Sequence, residues 1–421
     1  LREIVSKNPE EIKKERLDFW YKYANRRNLK DEPIYVDSAV ICIKTQQSTQ
    51  GALPSCFGLP YGYSRDNYGA SRGYLALGYH EDARKILDFR FDKWQIFGTV
   101  RNAEGMGCFE PRHFSENEEV EQTSYTLLSA RDYHKATNDS TFITRIFPML
   151  LWCSQVQLPH IHNGMLPFNG DETYIAGGLI PRSAVNQGSA ESTLMFIEGT
   201  KWLLDWAKKN GKSRETFGLA EAVKRVEAVY KKNFIKNGSY IANNPERIDD
   251  ELVCLPANMG VCAQADYNAK TRGFSEELFI GQLLYDGKGH FVRDLEISKG
   301  GFQGEETKSK EIGEVLVTPA FFKNDILTNE EMLKFARDFI KMDRKNMVVA
   351  GHEPAMLLYT LCVAGGTKEE ILKARDWVME FMSENGSWDE YYVNDETKTV
   401  RHRPWETGYS MEALLLSEKY L

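Results

Sequence analysis

The sequence predicts an all-α protein built as an (α/α)6 barrel, a toroid of helical hairpins with long functional loops, in one domain over residues 1–421. Three observations predict it. Amphipathic runs with the 3.6-residue period recur in pairs along the chain. Little period-two alternation is present, so no large sheet is expected. The stretches 99–118, 158–188, 265–311 and 386–405 are long and irregular. A superhelical array of hairpins is the competing all-α architecture, but it calls for short, uniform loops. Long loops in a compact domain usually carry function, and a closed ring of inner and outer helices would gather them around a central funnel.

Taken in order, weaker helical runs at about 8–28 and 36–48 come first. In GYLALGYHEDARKILDF one helix closes at Gly78 and the next opens around Glu81. SYTLLSARDYHKATND and STFITRIFPMLLWCSQVQ break at Asn138 and Asp139, short polar side chains suited to cap the second helix. STLMFIEGTKWLLDWAKKNG and the run after it break at Gly211. A further run is expected at about 251–264 and another at 329–345. EPAMLLYTLCVAGG then meets TKEEILKARDWVMEFMSENG, where Thr367 and Glu370 have the spacing of a capping box. A last helix is expected at about 407–421. No Pro/Gly/Ser-rich linker divides the series.

Composition narrows the function. The chain is 42% hydrophobic and 27% charged, and no run approaches the roughly 18 apolar residues a membrane span needs. With a net charge of −8 and no basic stripe, nucleic acid is not an expected partner. Seven cysteines are scattered without CxxC pairs and read as thiols, and His160 and His162 lack neighbouring ligands, so no metal and no cofactor are expected. Leu1 in place of Met leaves the compartment open, with a soluble periplasmic or secreted protein, freed of an N-terminal signal, as one reading.

Aromatic residues make up 12% of the chain, and in the loops they stand beside carboxylates. Sugar rings offer flat C–H faces to aromatic rings while their hydroxyls need charged partners, so an oligosaccharide or polysaccharide is the expected substrate. Four segments combine the two: GLPYGYSRDNYG (58–69), MLPFNGDETYIAGG (165–178), GSWDEYY (386–392) and HRPWETGY (402–409). Each sets a carboxylate at a helix boundary, where helix N-termini bias ionisation and hold hydroxyl or anionic groups. Glycoside hydrolysis needs two carboxyl groups in opposite protonation states. The candidates in these segments are Tyr63, Arg65, Asp66, Asp171, Glu172, Trp388, Glu390, Trp405 and Glu406. Asp171 rivals Glu172, and Glu406 rivals Glu390 because Trp405 would supply a dry wall.

In the order of its motifs the chain resembles the glucoamylase-like family 15 glycoside hydrolases of the six-hairpin superfamily. The likeness runs from QGALPSCFGLPYGYSRDNYGASRGYLALGYHEDARKILDF through GDETYIAGGLIPRSAVNQGSAESTLMFIEG, DDELVCLPANMGVC, LLYDGKGHFVRD and GFQGEE to GSWDEYYVNDETKTVRHRPWETGYSMEALLL. It implies Glu172 as general acid and Glu390 as general base, with Arg65 and Asp66 on the innermost sugar. It also implies inverting, exo-acting hydrolysis of α-linked glucosides. The family's Trp before the acid is Asp171 here, and its Gln after the base is Tyr391. A polysaccharide lyase or sugar epimerase on the same toroid would instead draw on His113, His352 or His402. A noncatalytic carbohydrate-binding protein would lack facing carboxylates.

Overall fold

The computed structural model describes residues 8–25, 33, 35–56, 61–101, 103–106, 120–168, 185–241, 243–247, 316–341, 348–393, 396–397 and 402–421. The helices in chain order are α1 (Pro9–Ala24), α2 (Tyr35–Gln46), α3 (Ser64–Ala76), α4 (His80–Phe97), α5 (Glu121–Thr137), α6 (Ser140–Gln155) and α7 (Ala190–Lys209). They continue with α8 (Leu219–Phe234), the short α9 (Thr318–Phe321), α10 (Asn329–Lys341), α11 (Glu353–Ala364), α12 (Lys368–Glu380) and α13 (Pro404–Ser417).

Burial sorts them into two layers. In α3 every residue from Ser64 to Tyr74 is buried, in α5 every residue from Glu121 to Tyr133, and in α13 every residue from Pro404 to Met411. Helices enclosed on all sides lie inside. By contrast α10 buries only Met332, Phe335, Ala336 and Phe339, one stripe at i, i+3, i+4 and i+7, so it lies outside. The contacts close the inner layer: α3 packs on α5, α5 on α7, α11 on α13 and α13 back on α3, while α9 touches both α7 and α11. Outer helices cover the seams, with α4 against α3 and α5, α6 against α5 and α7, and α12 against α11 and α13. This is the all-α toroid that the hairpin pattern predicted. No helix among the described residues is long and apolar enough to cross a membrane.

The predicted boundaries hold where they depend on local chemistry. Asn138 ends α5 in the left-handed conformation, and Asp139 caps α6 by accepting from the Phe142 N–H at 2.9 Å. Thr367 and Glu370 form a complete capping box on α12. The starts of α3 and α13 depart from expectation. Arg65, Asp66 and Glu406 lie within first turns rather than ahead of them, because Ser64 and Pro404 begin these helices earlier than the apolar pattern does. The run expected at 251–264 lies outside the described residues.

Three glycines bring α3 and α13 together. A Cβ on Gly69 would lie 2.7 Å from that of Trp405, one on Gly73 would lie 2.8 Å from the Gly408 Cα, and one on Gly408 would meet the Gly69 carbonyl. Without side chains at these positions the two backbones touch, which draws the first turns of both helices into one place. At the other end of these helices Arg72 pairs with Glu412 and donates to the Phe321 carbonyl, while Arg131 donates to that of Phe322 at 2.8 Å. These bonds dock α9 against α3 and α5.

Small antiparallel pairs trim the ring: β1 (Tyr61–Tyr63) with β2 (Ala103–Gly105), and β3 (Leu166–Phe168) with β4 (Val185–Ser189). Others are β5 (Ile235–Lys236) with β6 (Ser239–Tyr240), β7 (Asn243–Asn244) with β4, and β9 (Tyr391–Val393) between β8 (Val348–Ala350) and β10 (Glu396–Thr397).

Candidate functional site

Among the described residues each of the long inner helices opens with a carboxylate in its first turn: Asp66 on α3, Glu121 on α5, Glu191 on α7, Glu353 on α11 and Glu406 on α13. The exposed N–H groups and positive dipole end of a helix favour an acid there. Side-chain links run between neighbouring first turns. Arg65 Nη1 lies 3.8 Å from Glu121 Oε1, and the Tyr125 hydroxyl donates to Glu191 Oε1 at 3.2 Å. The ring therefore presents an acidic rim on one face.

At its centre is Arg403, the residue before α13. Its Nη2 lies 3.1 Å from Asp66 Oδ1 and 3.1 Å from Glu390 Oε1, its Nε donates to Glu406 Oε2 at 3.3 Å, and its Nη1 donates to Ser55 Oγ. Asp66 and Glu406 are wholly buried, Glu390 is 3% exposed and Arg403 1%. Burial alone would lower the pKa of Arg403, but Glu390, Glu406 and Asp66 outweigh it and hold the guanidinium well above its ordinary range. Glu406 shifts the opposite way to a paired acid. Burial, then the charges of Glu390 and Asp66, push its carboxyl well above the usual carboxylate range against the pull of Arg403.

Local structure fixes each member. The loop carrying Glu390 is held at three points. The Trp388 indole donates to the Val378 carbonyl at 2.8 Å, the Asp389 N–H donates to the Tyr392 hydroxyl at 2.8 Å, and the Glu390 carbonyl accepts from Gly351 at 2.8 Å. A side chain on Gly351 would strike the Asp389 carbonyl, so this approach requires glycine. Asn67 clamps the start of α3, exchanging bonds of 3.0 Å with the Leu53 backbone and donating to the Tyr63 carbonyl at 2.8 Å. Arg90, buried beneath, donates to the carbonyls of Gly62 and Arg101 and pins the β1–β2 hairpin to the rim.

Trp405 forms one wall. The Arg65 guanidinium stands 5.4 Å from its ring centre, and the His352 ring 4.5 Å away. Among the described residues no hydrogen bond reaches either oxygen of Asp66, Oε1 of Glu406 or Nε1 of Trp405, although all are buried. Buried polar atoms without hydrogen bonds are costly, about 1–3 kcal/mol each, and native proteins keep few of them. Beside Arg403, the Asp66 carboxylate thus has ion pairs but no hydrogen bond, and Glu406 Oε1 and Trp405 Nε1 have no hydrogen bond among the described residues.

The structure thus brings together Arg65, Asp66, Glu390, Trp405 and Glu406. Tyr63, half-buried, precedes α3, and Trp388 lies in the core beneath Glu390, its indole N–H committed to Val378. Asp171 and Glu172 lie outside the described residues, as does His113. His352 stands at the N-cap position of α11, yet its side chain makes no capping bond, and His402 Nδ1 pairs with Ser387 Oγ at 2.7 Å. Arg403, Glu121 and Ser55 are the residues that sequence reasoning missed. The one local sign of Arg403 was its i, i+3 spacing from Glu406.

The fold has known counterparts. No family model matches the chain, and no curated protein sequence does. Among solved structures it is similar to a bacterial glucoamylase complexed with acarbose, with a TM-score of 0.62 and 11% identity over 99% of this chain and 60% of that one. It is also similar to the GH63 mannosylglycerate hydrolase of Thermus thermophilus in complex with glucose, with a TM-score of 0.57 and 11% identity over 90% of this chain and 99% of that one. A third is the GH78 family rhamnosidase of Bacillus sp. GL1, with a TM-score of 0.58 and 11% identity over 94% of this chain and 36% of that one. At such identities the likeness is one of fold: the chain has the architecture of these glycosidases.

Proposed function

We propose that the chain is a single-domain glycoside hydrolase, exo-acting and inverting, that releases a terminal sugar from α-linked glucosides or related oligosaccharides. The observation that carries this reading is the cluster of Asp66, Glu390 and Glu406 on one buried guanidinium at the rim of an all-α toroid. The toroid is shared with glycosidases, two of them solved with glucose or acarbose bound.

In this reading Glu390 is the general base. It removes a proton from water as the water oxygen bonds to the anomeric carbon, while Glu172 gives its proton to the glycosidic oxygen and the C–O bond breaks on the opposite face. Such an arrangement requires the two carboxyl groups to stand roughly 6.5–9.5 Å apart. Glu172 lies outside the described residues, and its role as general acid is carried by the resemblance in motif order. Asp66, Arg65 and Glu406 would hold sugar hydroxyls, and Trp405 and Tyr63 would meet the ring faces.

The test is sugar release from a panel of α- and β-linked oligosaccharides, with anomeric configuration followed by NMR. The expected result is β-anomer from an α-linked substrate, with activity falling about 10²- to 10⁴-fold in both Glu390→Gln and Glu172→Gln. Retained activity in Glu390→Gln, or release of the α-anomer, would overturn the assignment.

A further inference from the structure

Three carboxyl groups on one guanidinium is more than charge balance asks of a binding site. Among the described residues the cations ion-paired here are Arg403 and Arg65, and the acids they pair with are Asp66, Glu390, Glu406 and Glu121. All six are at most 4% exposed, where an uncompensated charge is expensive. Arg65 reaches Asp66 at 3.7 Å and Glu121 at 3.8 Å, so it already serves the α3–α5 side. The α13 side depends on Arg403. Lysine could not replace it, since only a planar fork presents Nη1, Nη2 and Nε in fixed directions to separate partners.

We propose that Arg403 is a positioning residue of the hydrolytic site, one that holds Glu390 in the ionised state and at fixed spacing from Asp66. The proposal rests on the reading of Glu390 as general base. Ser55 anchors one end of the guanidinium, so its Nη2 cannot follow either carboxylate away from the other. Asp66 is fixed in turn by the Asn67 clamp and the glycine seam, and Glu390 by Gly351 and Trp388. The groups facing Arg403 are Asp66 from α3, Ser55 and Cys56 ahead of β1, Glu390 ahead of β9, and Glu406 from α13. Against these, Arg403 sets a positive charge directly on Glu390 at 3.1 Å.

The test follows kcat/KM against pH, with kcat and KM resolved separately, in wild type, Arg403→Lys, Arg403→Ala and Glu390→Gln on whichever panel substrate is cleaved. In Arg403→Ala the acid limb is expected to move up by about one pH unit or more. Its kcat should fall about 100-fold, as misplacement of a reacting group does, with a smaller change in KM. Guanidinium ion added at millimolar concentration should restore part of kcat. Arg403→Lys keeps the charge but not the fork, so a smaller upward shift of the limb is expected; it decides the matter if Arg403→Ala does not fold. If Glu390→Gln is inactive but both Arg403 variants keep the wild-type acid limb, the positioning role is overturned and the base assignment stands. If Glu390→Gln is active, the base assignment fails and this proposal with it.

Discussion

Arg403 and Glu406 stand one helical turn apart, joined by an Nε–Oε2 bond of 3.3 Å, and neither side chain meets solvent. A surface pair with this geometry would hold its acid ionised. Here burial outweighs the pairing, and the Glu406 carboxyl is pushed well above its usual range. The folded state therefore keeps a proton that the unfolded chain releases as pH rises past about 4.3. Stability contributed by that proton is complete below the unfolded value and is lost as pH rises toward the folded one. Glu406→Gln should match wild type near pH 4 and gain stability relative to it as pH increases, read by thermal unfolding across pH. A relative loss on the alkaline side would mean that Glu406 is ionised and paired.

Glu198 on α7 offers a second pH dependence, far from Arg403 along the inner layer. Burial, then the charge of Asp325, raises its carboxyl to about 7, although it accepts the Asp325 N–H at 3.2 Å. The sign is the same as for Glu406: its contribution is full below the unfolded carboxylate range and is lost as pH climbs to about 7. Glu198→Gln should flatten the fall in unfolding temperature between pH 5 and 7 and run parallel to wild type above that. An unchanged slope would count against the shift.

The glycine seam gives a prediction about packing. Gly408→Ala sets a methyl group against the Gly69 carbonyl and the Ala70 Cα, backbone atoms with no alternative rotamer. Overpacking of this kind costs about 1–3 kcal/mol. Since the seam also sets the distance between Asp66 and Arg403, activity at a temperature where the variant is folded should fall as well. A variant with full activity and an unchanged melting point would show that the helices separate without cost.

Thr367→Ala serves as the contrast. It removes the N-cap of α12, where Thr367 Oγ1 accepts from Glu370 at 3.2 Å and Glu370 Oε2 accepts from Thr367 at 2.9 Å. A loss of about 1 kcal/mol in chemical denaturation is expected, with kcat and KM unchanged, because the box lies on the outer layer. A change in KM would tie the outer layer to the rim.

How much of this was legible in the sequence depends on range. Asn138, Asp139, Thr367 and Glu370 announce helix ends because their side chains bond to backbone within a few residues. The hairpin pattern and the all-α class follow from period alone. The beginnings of α3 and α13 were hidden for a physical reason: a helix buried on every side has no polar face to alternate with, so S-R-D-N and P-W-E-T read as loop. Arg65, Asp66, Glu390, Trp405 and Glu406 were found as carboxylates and aromatics at helix boundaries. Arg403 was not, since its partner Ser55 lies 348 residues away and its one local sign, the i, i+3 spacing from Glu406, is shared by surface arginines.

The contact between α3 and α13 also orders events in time. Helices far apart in the chain are neighbours in the ring, so the circle shuts only when residues 404–417 arrive. Until then Asp66 has the neighbouring Arg65 but not Arg403, and α3 lacks the helix that covers its glycine face. Such late, distant pairing slows folding. A growing chain that has not yet reached Pro404 carries Asp66 and Glu121 but lacks Glu406 and the helix that shuts the ring.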